Sequence, residues 1–178
     1  MRFQFERLAP VWDRMRSPEA FAGLEAALAA METPPKRALD LGTGTGQAAF
    51  LVARRFPDTE VVGVDLAPAM LAEARRKTPP ELAGRVRFEQ GDASRLEYPD
   101  GSFDLVTLAN MIPFFDELAR VLATGGRVVF SFSVGPDTPI YVPPERLQEE
   151  LSRRGFTDFA EFAVDPGTAL VARKSNDT

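Results

Sequence analysis

One stretch decides the fold of this 178-residue chain: Ala38-Leu39-Asp40-Leu41-Gly42-Thr43-Gly44-Thr45-Gly46-Gln47. Its first residues have the apolar composition of a buried strand, and a helical pattern begins at Gln47. Three glycines alternate between them, which is more than a plain tight turn requires. Glycine adopts positive φ angles and lets a ligand approach the backbone without a Cβ in the way. Because the following helix presents free N–H groups to a polar or anionic group, we expect a binding site here.

Strand-like and helical segments alternate outward from this loop. The strand-like runs cover residues 37–41, 61–65, 86–89, 103–108 and 127–133, with helical patterns at 47–55, 68–77 and 114–122. Such alternation predicts parallel strands with helices on both faces. After a helical pattern at 144–154, two further runs are separated only by Asp165-Pro166-Gly167, which predicts an antiparallel hairpin. The expected fold is α/β: a Rossmann-like, doubly wound, mostly parallel sheet of seven strands with a C-terminal antiparallel hairpin.

The N-terminal segment has a different character. Residues 3–16 are aromatic-rich and show no regular period, so we expect irregular structure there. Ser17-Pro18-Glu19 has the composition of a helix start, because it combines a cap residue, a proline at the first position and an acid in the first turn. An apolar stripe at helical spacing follows as far as Met31.

Two absences in the composition exclude whole classes of chemistry. Without cysteine there is no disulfide framework, iron–sulfur cluster or thiol nucleophile. Without histidine there is no Ser-His-Asp triad, imidazole proton shuttle or histidine-based metal site, and we expect no metal. Acid–base work must therefore fall to carboxylates, tyrosine, lysine, water or the substrate.

The net charge and the distribution of apolar residues limit the kinds of partner that we expect this protein to bind. A net charge of −5, with arginines scattered along the chain, argues against a nucleic-acid partner. No apolar run approaches the roughly 18 residues that span a bilayer, and the first residues lack the apolar core of a signal peptide. We expect a cytoplasmic protein without a membrane partner.

Carboxylates recur where the first three strands end. Asp40 lies in the first strand, Asp65 ends the second, and Asp92 follows the third. Because parallel strands end at one edge of a sheet, these groups should share one crevice. Asp65 can accept both hydroxyls of a ribose, it can cap the following helix, or it can do both. Asp104 starts its strand at the opposite edge, and we expect it to be structural.

Several motifs resemble, in order and spacing, those of class I S-adenosylmethionine-dependent methyltransferases of the small-molecule type. They are Asp40–Gly46, Val64-Asp65, Gly91-Asp92-Ala93, Phe103-Asp104-Leu105-Val106 and Leu118–Gly126. The resemblance is strong over residues 36–133 and weaker in the terminal hairpin. In one departure, Thr124 stands before the glycine pair where the family commonly has proline. That position lies away from the cofactor.

The resemblance implies S-adenosylmethionine as cofactor and S-adenosylhomocysteine as product. It assigns Asp65 to the ribose, Asp92 to the adenine amine, the glycine loop to the methionine part and Asp40 to the neighbourhood of the methionine ammonium. The predicted cofactor-binding residues are Asp40, Gly42, Thr43, Gly44, Gly46, Asp65, Leu66, Met70, Gly91, Asp92, Ala93 and Asn110.

The resemblance further implies in-line displacement of the sulfonium methyl by an O, N or C nucleophile of a small-molecule acceptor, with no protein nucleophile. If a base is needed, the candidates are Asp13, Asp137 and Tyr141, each of which could equally be an ordinary loop residue. The loop Gly135–Pro144 is expected to form one wall of the acceptor site. The predicted acceptor-binding residues are Trp12, Met111, Phe114, Phe115 and Tyr141.

Two of these acceptor assignments have structural alternatives. Trp12 could simply pack the N-terminal segment, and Phe114 and Phe115 are adjacent, so only one of them can point fully into the core. We expect a single domain over residues 1–178, in which 1–32 form an N-terminal cap segment and helix. Residues 36–133 form the cofactor-binding core, and 134–178 form the acceptor-side loop, helix and closing hairpin.

Two other functions compete with methyl transfer. A nicotinamide-dependent Rossmann oxidoreductase would need glycine where Gln47 stands, since the dinucleotide fingerprint is G-x-G-x-x-G. A non-catalytic cofactor-binding or scaffold subunit would keep the same frame with a plugged acceptor site. Within the methyltransferase hypothesis, the lack of cysteine and histidine excludes thiol-dependent arsenic methylation and a histidine base. The acceptor is not specified by the sequence, and a homodimer remains open.

Overall fold

A computed structural model describes residues 7–175. Its centre is one seven-stranded sheet of order β3-β2-β1-β4-β5-β7-β6. Strands β1 to β5 pair in parallel, and β7 lies antiparallel between β5 and β6. The strands are β1 (Arg37–Leu41), β2 (Glu60–Asp65), β3 (Val86–Gln90), β4 (Phe103–Ala109), β5 (Leu122–Phe132), β6 (Phe156–Val164) and β7 (Gly167–Lys174). The predicted sheet with its closing hairpin is confirmed.

Five α-helices and two short 3-10 helices complete the described part of the chain. The α-helices are α1 (Ala22–Ala29), α2 (Gln47–Arg55), α3 (Pro68–Lys77), α4 (Phe115–Val121) and α5 (Pro144–Ser152), and the 3-10 helices cover Ala9–Met15 and Gly135–Asp137. The sequence signals at α3 agree with the structure, because a proline occupies its first turn and three basic residues its last.

The N-terminal region departs from expectation in two ways. The helix predicted from Ser17 begins only at Ala22, because residues 17–22 form i→i+3 turns and no side chain caps the helix. The segment expected to be irregular contains the 3-10 helix Ala9–Met15. The part of the expected irregular segment before residue 7 lies outside the described residues.

The sheet is covered on both faces, as a parallel sheet requires. One face packs against α1, α2 and α3 around Leu24, Phe50 and Leu71, and the other packs against α4 and α5 around Leu118 and Leu151. Neighbouring residues of one strand serve opposite faces, as Ala38 and Leu39 of β1 do. The two cores enclose β1 at the centre of the sheet.

The strand order places Asp40, Asp65 and Asp92 at one edge of the sheet. Asp40 of β1 pairs with Gly63 of β2 and with Thr107 of β4, so its side chain lies between neighbouring strands near their carboxyl ends. At the opposite edge, Asp104 Oδ2 accepts hydrogen bonds from the backbone N–H groups of Lys36 (3.0 Å) and Arg37 (3.1 Å). Asp104 therefore fastens the start of β1 to β4, in the structural position that the strand polarity predicts.

Candidate active site

The glycine loop after β1 folds back onto the end of β2. Gly42, Gly44 and Gly46 have positive φ angles of 68°, 55° and 88°, which strain residues with a side chain. The N–H groups of Gly42 and Thr43 both donate to the carbonyl oxygen of Val64, at 2.9 and 3.0 Å. The loop is thus a fixed turn at the carboxyl edge of the sheet, in which Gly42 is half-buried and Gly44 and Gly46 are buried.

Asp40 is the most unusual group at this edge. Its side chain is only 1 % exposed, and the hydroxyl of Thr107 donates to Oδ1 at 2.7 Å. Oδ2 has no hydrogen-bond partner among the described residues; the hydroxyl of Thr43 helps to lower the pKa of the carboxyl but does not meet the geometry of a hydrogen bond. Burial outweighs these effects and raises the pKa of Asp40 to about 6. Such a carboxylate is ready to receive a cationic donor.

Asp65, at the tip of β2, holds the glycine loop. Its Oδ2 accepts from the N–H of Gly44 at 2.8 Å and its Oδ1 from the N–H of Ala67 at 2.9 Å. The residue that caps α3 is Ala67, so Asp65 does not serve as the helix cap. Each carboxylate oxygen can accept more than one hydrogen bond, so Asp65 keeps acceptor capacity for a ligand hydroxyl.

The turn after β3 contains the third carboxylate. Asp92 Oδ1 accepts from both the N–H (2.8 Å) and the hydroxyl (2.6 Å) of Ser94, and these bonds lower its pKa. A Cβ on Gly91 would lie 2.9 Å from Val64, so glycine is needed for β3 to end this close to β2. The neighbouring Ala93 is buried. Asp92 therefore stays ionised and exposed beside the end of β2.

The N-terminal strap, residues 9–16, crosses this edge. The indole Nε1 of Trp12 lies 3.9 Å from the position that a Cβ on Gly44 would occupy. The ring packs with Ala9, Ala67 and Met70, so the predicted cofactor residue Met70 is buried beneath the strap. Trp12 therefore packs the N-terminal segment and also lies against the glycine loop, and its predicted contact with an acceptor stays a prediction.

Asp13 clasps the strap to the loop. Its carboxylate accepts from the Thr45 hydroxyl (2.5 Å), the Gln47 amide (3.2 Å) and the Lys77 ammonium (2.7 Å). Burial alone would raise the pKa of Asp13, but the hydrogen bonds from Lys77 and Thr45 outweigh it and lower the pKa. A carboxylate that is held by three donors binds a proton weakly, so this geometry favours an anchoring role over that of a general base.

Arg16 lies at the end of the strap. Its guanidinium carbon is 5.3 Å from the ring centre of Trp12 and 5.2 Å from that of Phe21, both within cation–π range. Burial lowers the pKa of Arg16, while the negative charges of Asp13 and Asp40 act in the opposite direction. Arg16 is therefore a partly buried cation within electrostatic reach of Asp40.

The segment after β4 closes the other side of the loop. Asn110 has a positive φ of 52°, its N–H donates to Ser131 and its Oδ1 accepts from the N–H of Ser133, both at 2.9 Å. These bonds join the ends of β4 and β5. Met111 then lies on the glycine loop, since its Sδ is 2.6 Å from where a Cβ on Gly42 would be. The structure thus places Met111 beside the predicted cofactor residues.

Other predicted residues divide between the edge and the core. Leu66 and Phe114 are exposed by 49 % and 39 % at the carboxyl edge. Phe115 instead packs in the core against Phe130, with ring centres 6.3 Å apart. As their adjacency predicts, only one of the two phenylalanines packs in the core: Phe115 does, and Phe114 is exposed.

Tyr141 lies apart from the glycine loop. Its ring meets that of Phe132 at 5.0 Å and lines a cavity of about 130 Å³ together with Leu147, Glu161 and Phe162. None of the predicted cofactor residues lines this cavity. Burial raises the pKa of Tyr141, which keeps the phenol protonated at neutral pH. Asp137 is exposed in the second 3-10 helix.

Gly63 and Arg16 also contribute to this edge of the sheet, although neither is among the predicted site residues. A Cβ on Gly63 would lie 2.6 Å from both Phe88 and the Thr43 hydroxyl, so this glycine lets the loop and β3 pack together. A lone glycine inside a strand was the available signal. Arg16 gave no comparable signal, because its surroundings come from distant parts of the chain.

Within residues 7–175, no three acidic side chains are grouped so that they could hold a metal ion. In the same range, no helix has the length and apolar composition needed to cross a membrane.

Comparison with known proteins identifies the family. A family model described as a methyltransferase domain matches residues 38–129, the part that contains the glycine loop and all three edge carboxylates. The chain belongs to this family. The methyltransferase resemblance seen in the sequence motifs is thereby confirmed.

Individual relatives of this methyltransferase domain carry different names. The chain is 45 % identical, over 138 residues, to a demethylmenaquinone methyltransferase of Thermus thermophilus, covering 70 % of this chain and 62 % of the relative. It is 42 % identical over 111 residues to a malonyl-[acyl-carrier protein] O-methyltransferase of Halorhodospira halophila, covering 58 % and 37 %. The chain thus spans less than two thirds of the length of these curated relatives.

A solved structure shares the fold along nearly the whole chain. It is a complex of the Haloferax volcanii Trm112 methyltransferase activator with a methyltransferase, and it matches with a TM-score of 0.78 over 97 % of this chain and 98 % of that chain. The sequence identity is 18 %, so this likeness supports the fold alone.

Proposed function

We propose that the chain is an S-adenosylmethionine-dependent methyltransferase that acts on a small molecule and releases S-adenosylhomocysteine. One observation carries the proposal: Asp40 is fully buried beside the glycine loop, with one carboxylate oxygen unpartnered among the described residues. A buried carboxylate without a full set of donors is costly, and a ligand ammonium would complete that set. Membership of the methyltransferase family supports this ligand over a nicotinamide cofactor.

The other residues at the carboxyl edge fit the remaining parts of that cofactor. The backbone of Gly42–Gly46 would face its methionine part, Asp65 would accept from its ribose hydroxyls, and Asp92 would accept from its adenine amine. Asp65 is already oriented by Gly44 and Ala67, so its carboxylate is positioned before the ligand arrives. When bound, S-adenosylmethionine supplies an electrophilic methyl group to a nucleophile on the acceptor.

The chain's own contribution to the reaction is alignment and the exclusion of water. Trp12 and Met111 flank the glycine loop from the strap and from the end of β4. Asn110 fixes the backbone that leads into Met111 through its bonds to β5. A nucleophile held in line within such a covered site gains rate through orientation.

An apolar rim supports an apolar acceptor. Seven large hydrophobic side chains in the described residues expose more than a third of their surface. Six of them form the rim, in the strap or just after β2, β4 and β5 at the carboxyl edge, and the seventh, Val164, ends β6 at the far end of the sheet. The seven are Val11, Met15, Leu66, Ile112, Phe114, Val134 and Val164. A concentration of apolar surface around a site marks a binding region. With the relatives named for demethylmenaquinone, the rim favours a quinone-type ring compound as acceptor.

A thermal-shift panel tests the cofactor. A ligand at 100 times its Kd stabilises by about 2.7 kcal/mol, and each kcal/mol moves the Tm of such a domain by roughly 2–4 °C. We expect S-adenosylmethionine and S-adenosylhomocysteine each to raise the Tm by about 5–11 °C, and NAD to leave it unchanged. A shift with NAD alone would establish the oxidoreductase alternative instead.

A transfer assay tests the acceptor. We expect mass spectrometry to detect methylated product from reduced quinone-type rings and none from a malonyl thioester. Phe114→Ser should raise the acceptor KM several-fold, because Phe114 is an exposed aromatic residue in the segment that follows β4 at the carboxyl edge. Val164→Ser is the matched control, since Val164 is also exposed at this edge but lies on β6 at the far end of the sheet. Cofactor binding without transfer to any acceptor would favour the scaffold alternative.

A further inference from the structure

We infer that the cavity beside Tyr141 binds a small organic ammonium ion, such as an alkylammonium or quaternary ammonium group. The cavity has a volume of about 130 Å³ and lies where α5 covers β5, β7 and β6. None of the predicted cofactor residues lines it, so it is a second site, separate from the glycine loop. The inference therefore goes beyond the proposed function and does not depend on it.

The walls of the cavity are mostly apolar. Phe132 of β5, Leu170 of β7 and Leu147 of α5 line it, and all three are buried. The ring of Tyr141 meets that of Phe132, with ring centres 5.0 Å apart and planes inclined at 68°. An apolar cavity of about 150 Å³ accommodates a benzene ring, so this one suits a compact group of slightly smaller size. Because an unfilled cavity lowers stability in proportion to its volume, a ligand that fills it gains binding energy.

The charge at the cavity is negative only. Glu161 of β6 lines the cavity, and its carboxylate accepts a hydrogen bond from the side-chain amide of Gln148 at 2.9 Å. Among the described residues, no lysine or arginine lines the cavity or forms an ion pair with Glu161. Glu145, in the first turn of α5, also has no ion pair within residues 7–175. Burial and the charges of Glu145 and Glu161 raise the pKa of Tyr141, so both carboxylates act on the phenol.

Other acidic residues of α5 are neutralised by neighbouring arginines. Glu149 and Glu150 each form ion pairs with arginine side chains of the same helix. The two carboxylates at the cavity have no such partner, so a cationic ligand would complement them. An organic ammonium ion also carries apolar carbon groups that fit the walls, and an aromatic ring attracts its positive charge. The aromatic, apolar and acidic groups of this cavity thus favour the same kind of ligand.

A pair of probes with the same shape tests the charge of the ligand. The first is choline, and the second is the neutral alcohol in which carbon replaces the nitrogen of choline. In an NMR titration, choline should shift the backbone amide signals of Val142, Leu147 and Ala163, which line the cavity, and should leave those of Gly42–Gly46 unchanged. We expect choline to bind about 10-fold more tightly than the alcohol, because a carboxylate and an aromatic ring both favour the cation.

Matched variants separate the carboxylate and the ring from the apolar walls. Glu161→Gln removes the charge at nearly constant size, so the preference for choline should fall to about twofold while the alcohol binds as before. Tyr141→Leu should also weaken choline, whereas Tyr141→Phe keeps the aromatic face and should retain the preference. Glu97→Gln is the control, since Glu97 is an exposed glutamate that does not line the cavity, and it should change neither affinity.

Each outcome bears on the inference. If both probes bind in the cavity with equal affinity, the cavity is merely apolar and the assignment to a cation is wrong. Amide shifts confined to other parts of the protein, or no shift with either probe, would also overturn it. So would a preference for choline that survives in both Glu161→Gln and Tyr141→Leu. If Tyr141→Leu does not fold, Glu161→Gln against Glu97→Gln still provides the test, because both glutamates are exposed.

Discussion

The carboxylates at the two edges of the sheet, Asp104 and Asp40, differ in burial and in hydrogen bonding. At the amino edge, Asp104 accepts two backbone hydrogen bonds, from Lys36 and Arg37, and holds the start of β1. At the carboxyl edge, Asp40 is fully buried with one oxygen unpartnered among the described residues. Burial raises the pKa of Asp40 to about 6, which reflects the cost of its charge in the free protein.

This difference separates a carboxylate that stabilises the fold (fastening) from one that is available to bind a ligand (binding). A carboxylate whose acceptors are filled by the backbone contributes to the stability of the fold. One that is buried and only half satisfied contributes little, and it gains most when a ligand supplies the missing donor. Asp65 combines both roles, since backbone donors from Gly44 and Ala67 orient it at the edge where the ligand would lie.

The largest effect should come from Asp65→Ala. We expect its affinity for S-adenosylhomocysteine to fall about 100-fold, roughly 3 kcal/mol, because two charge-assisted bonds to the ribose and the support of the Gly44 N–H are lost together. Isothermal calorimetry measures the change. Asp65→Asn keeps one acceptor and should lose less. If both variants bound S-adenosylhomocysteine as tightly as the wild type, Asp65 would not be the residue that binds the ribose.

Close packing behind the carboxyl edge can be tested at Gly63. Gly63→Ala should lower the free energy of unfolding by about 2 kcal/mol, or the Tm by roughly 4–8 °C, because its Cβ would meet Phe88 and Thr43 at 2.6 Å. Gly84→Ala is the matched control, since nothing lies within 4 Å of that position. Equal melting temperatures for the two variants would mean that Phe88 and Thr43 can shift to accommodate the added Cβ at little cost in stability.

The sequence predicted the central frame closely because its signals are local. The bounds of β1, α2 and α3 agree with the structure, since apolar runs, glycine spacing and proline positions fix them within a few residues. Strand polarity also placed Asp104 on the opposite edge from Asp40. These arguments need only the order of elements along the chain.

Residues that meet across long separations could not be predicted in the same way. Asp13 accepts hydrogen bonds from Thr45 and Lys77, which are 32 and 64 residues away. No local sequence pattern predicts hydrogen bonds between residues so far apart. Tyr141 is predicted at the acceptor site as part of the proline-rich loop Gly135–Pro144, whereas its ring packs against Phe132 in a cavity that none of the predicted cofactor residues lines. Tertiary packing decides positions of this kind.

A pH titration gives the next effect in size. Ligand ammonium needs ionised Asp40, so the affinity for S-adenosylhomocysteine should fall about tenfold between pH 7 and pH 5, as the carboxyl with a pKa of about 6 takes up a proton. The free protein should respond in the opposite sense, because a raised carboxyl pKa contributes stability that is lost as the pH rises through 6. The chain has no histidine, which would otherwise titrate in this window.

Asp40→Asn provides the control for this titration. An amide does not titrate, so the variant should bind weakly with a flat profile between pH 5 and pH 7. If the variant keeps the slope of the wild type, the proton is taken up elsewhere. The buried carboxylate would then not be the group that meets the ligand.

The smallest effect is expected at the amino edge. Asp104→Ala leaves two backbone donors without their acceptor, but water can reach the exposed N–H of Lys36, so the cost should be about 1 kcal/mol and the Tm should fall by roughly 2–4 °C. Asp104→Asn keeps one oxygen acceptor and should restore most of the loss. Neither change should alter the Kd for S-adenosylhomocysteine by more than about twofold. A loss of ligand affinity as large as that in Asp65→Ala would show that the edges are coupled through β1 and β4, and the separation of fastening from binding would then fail.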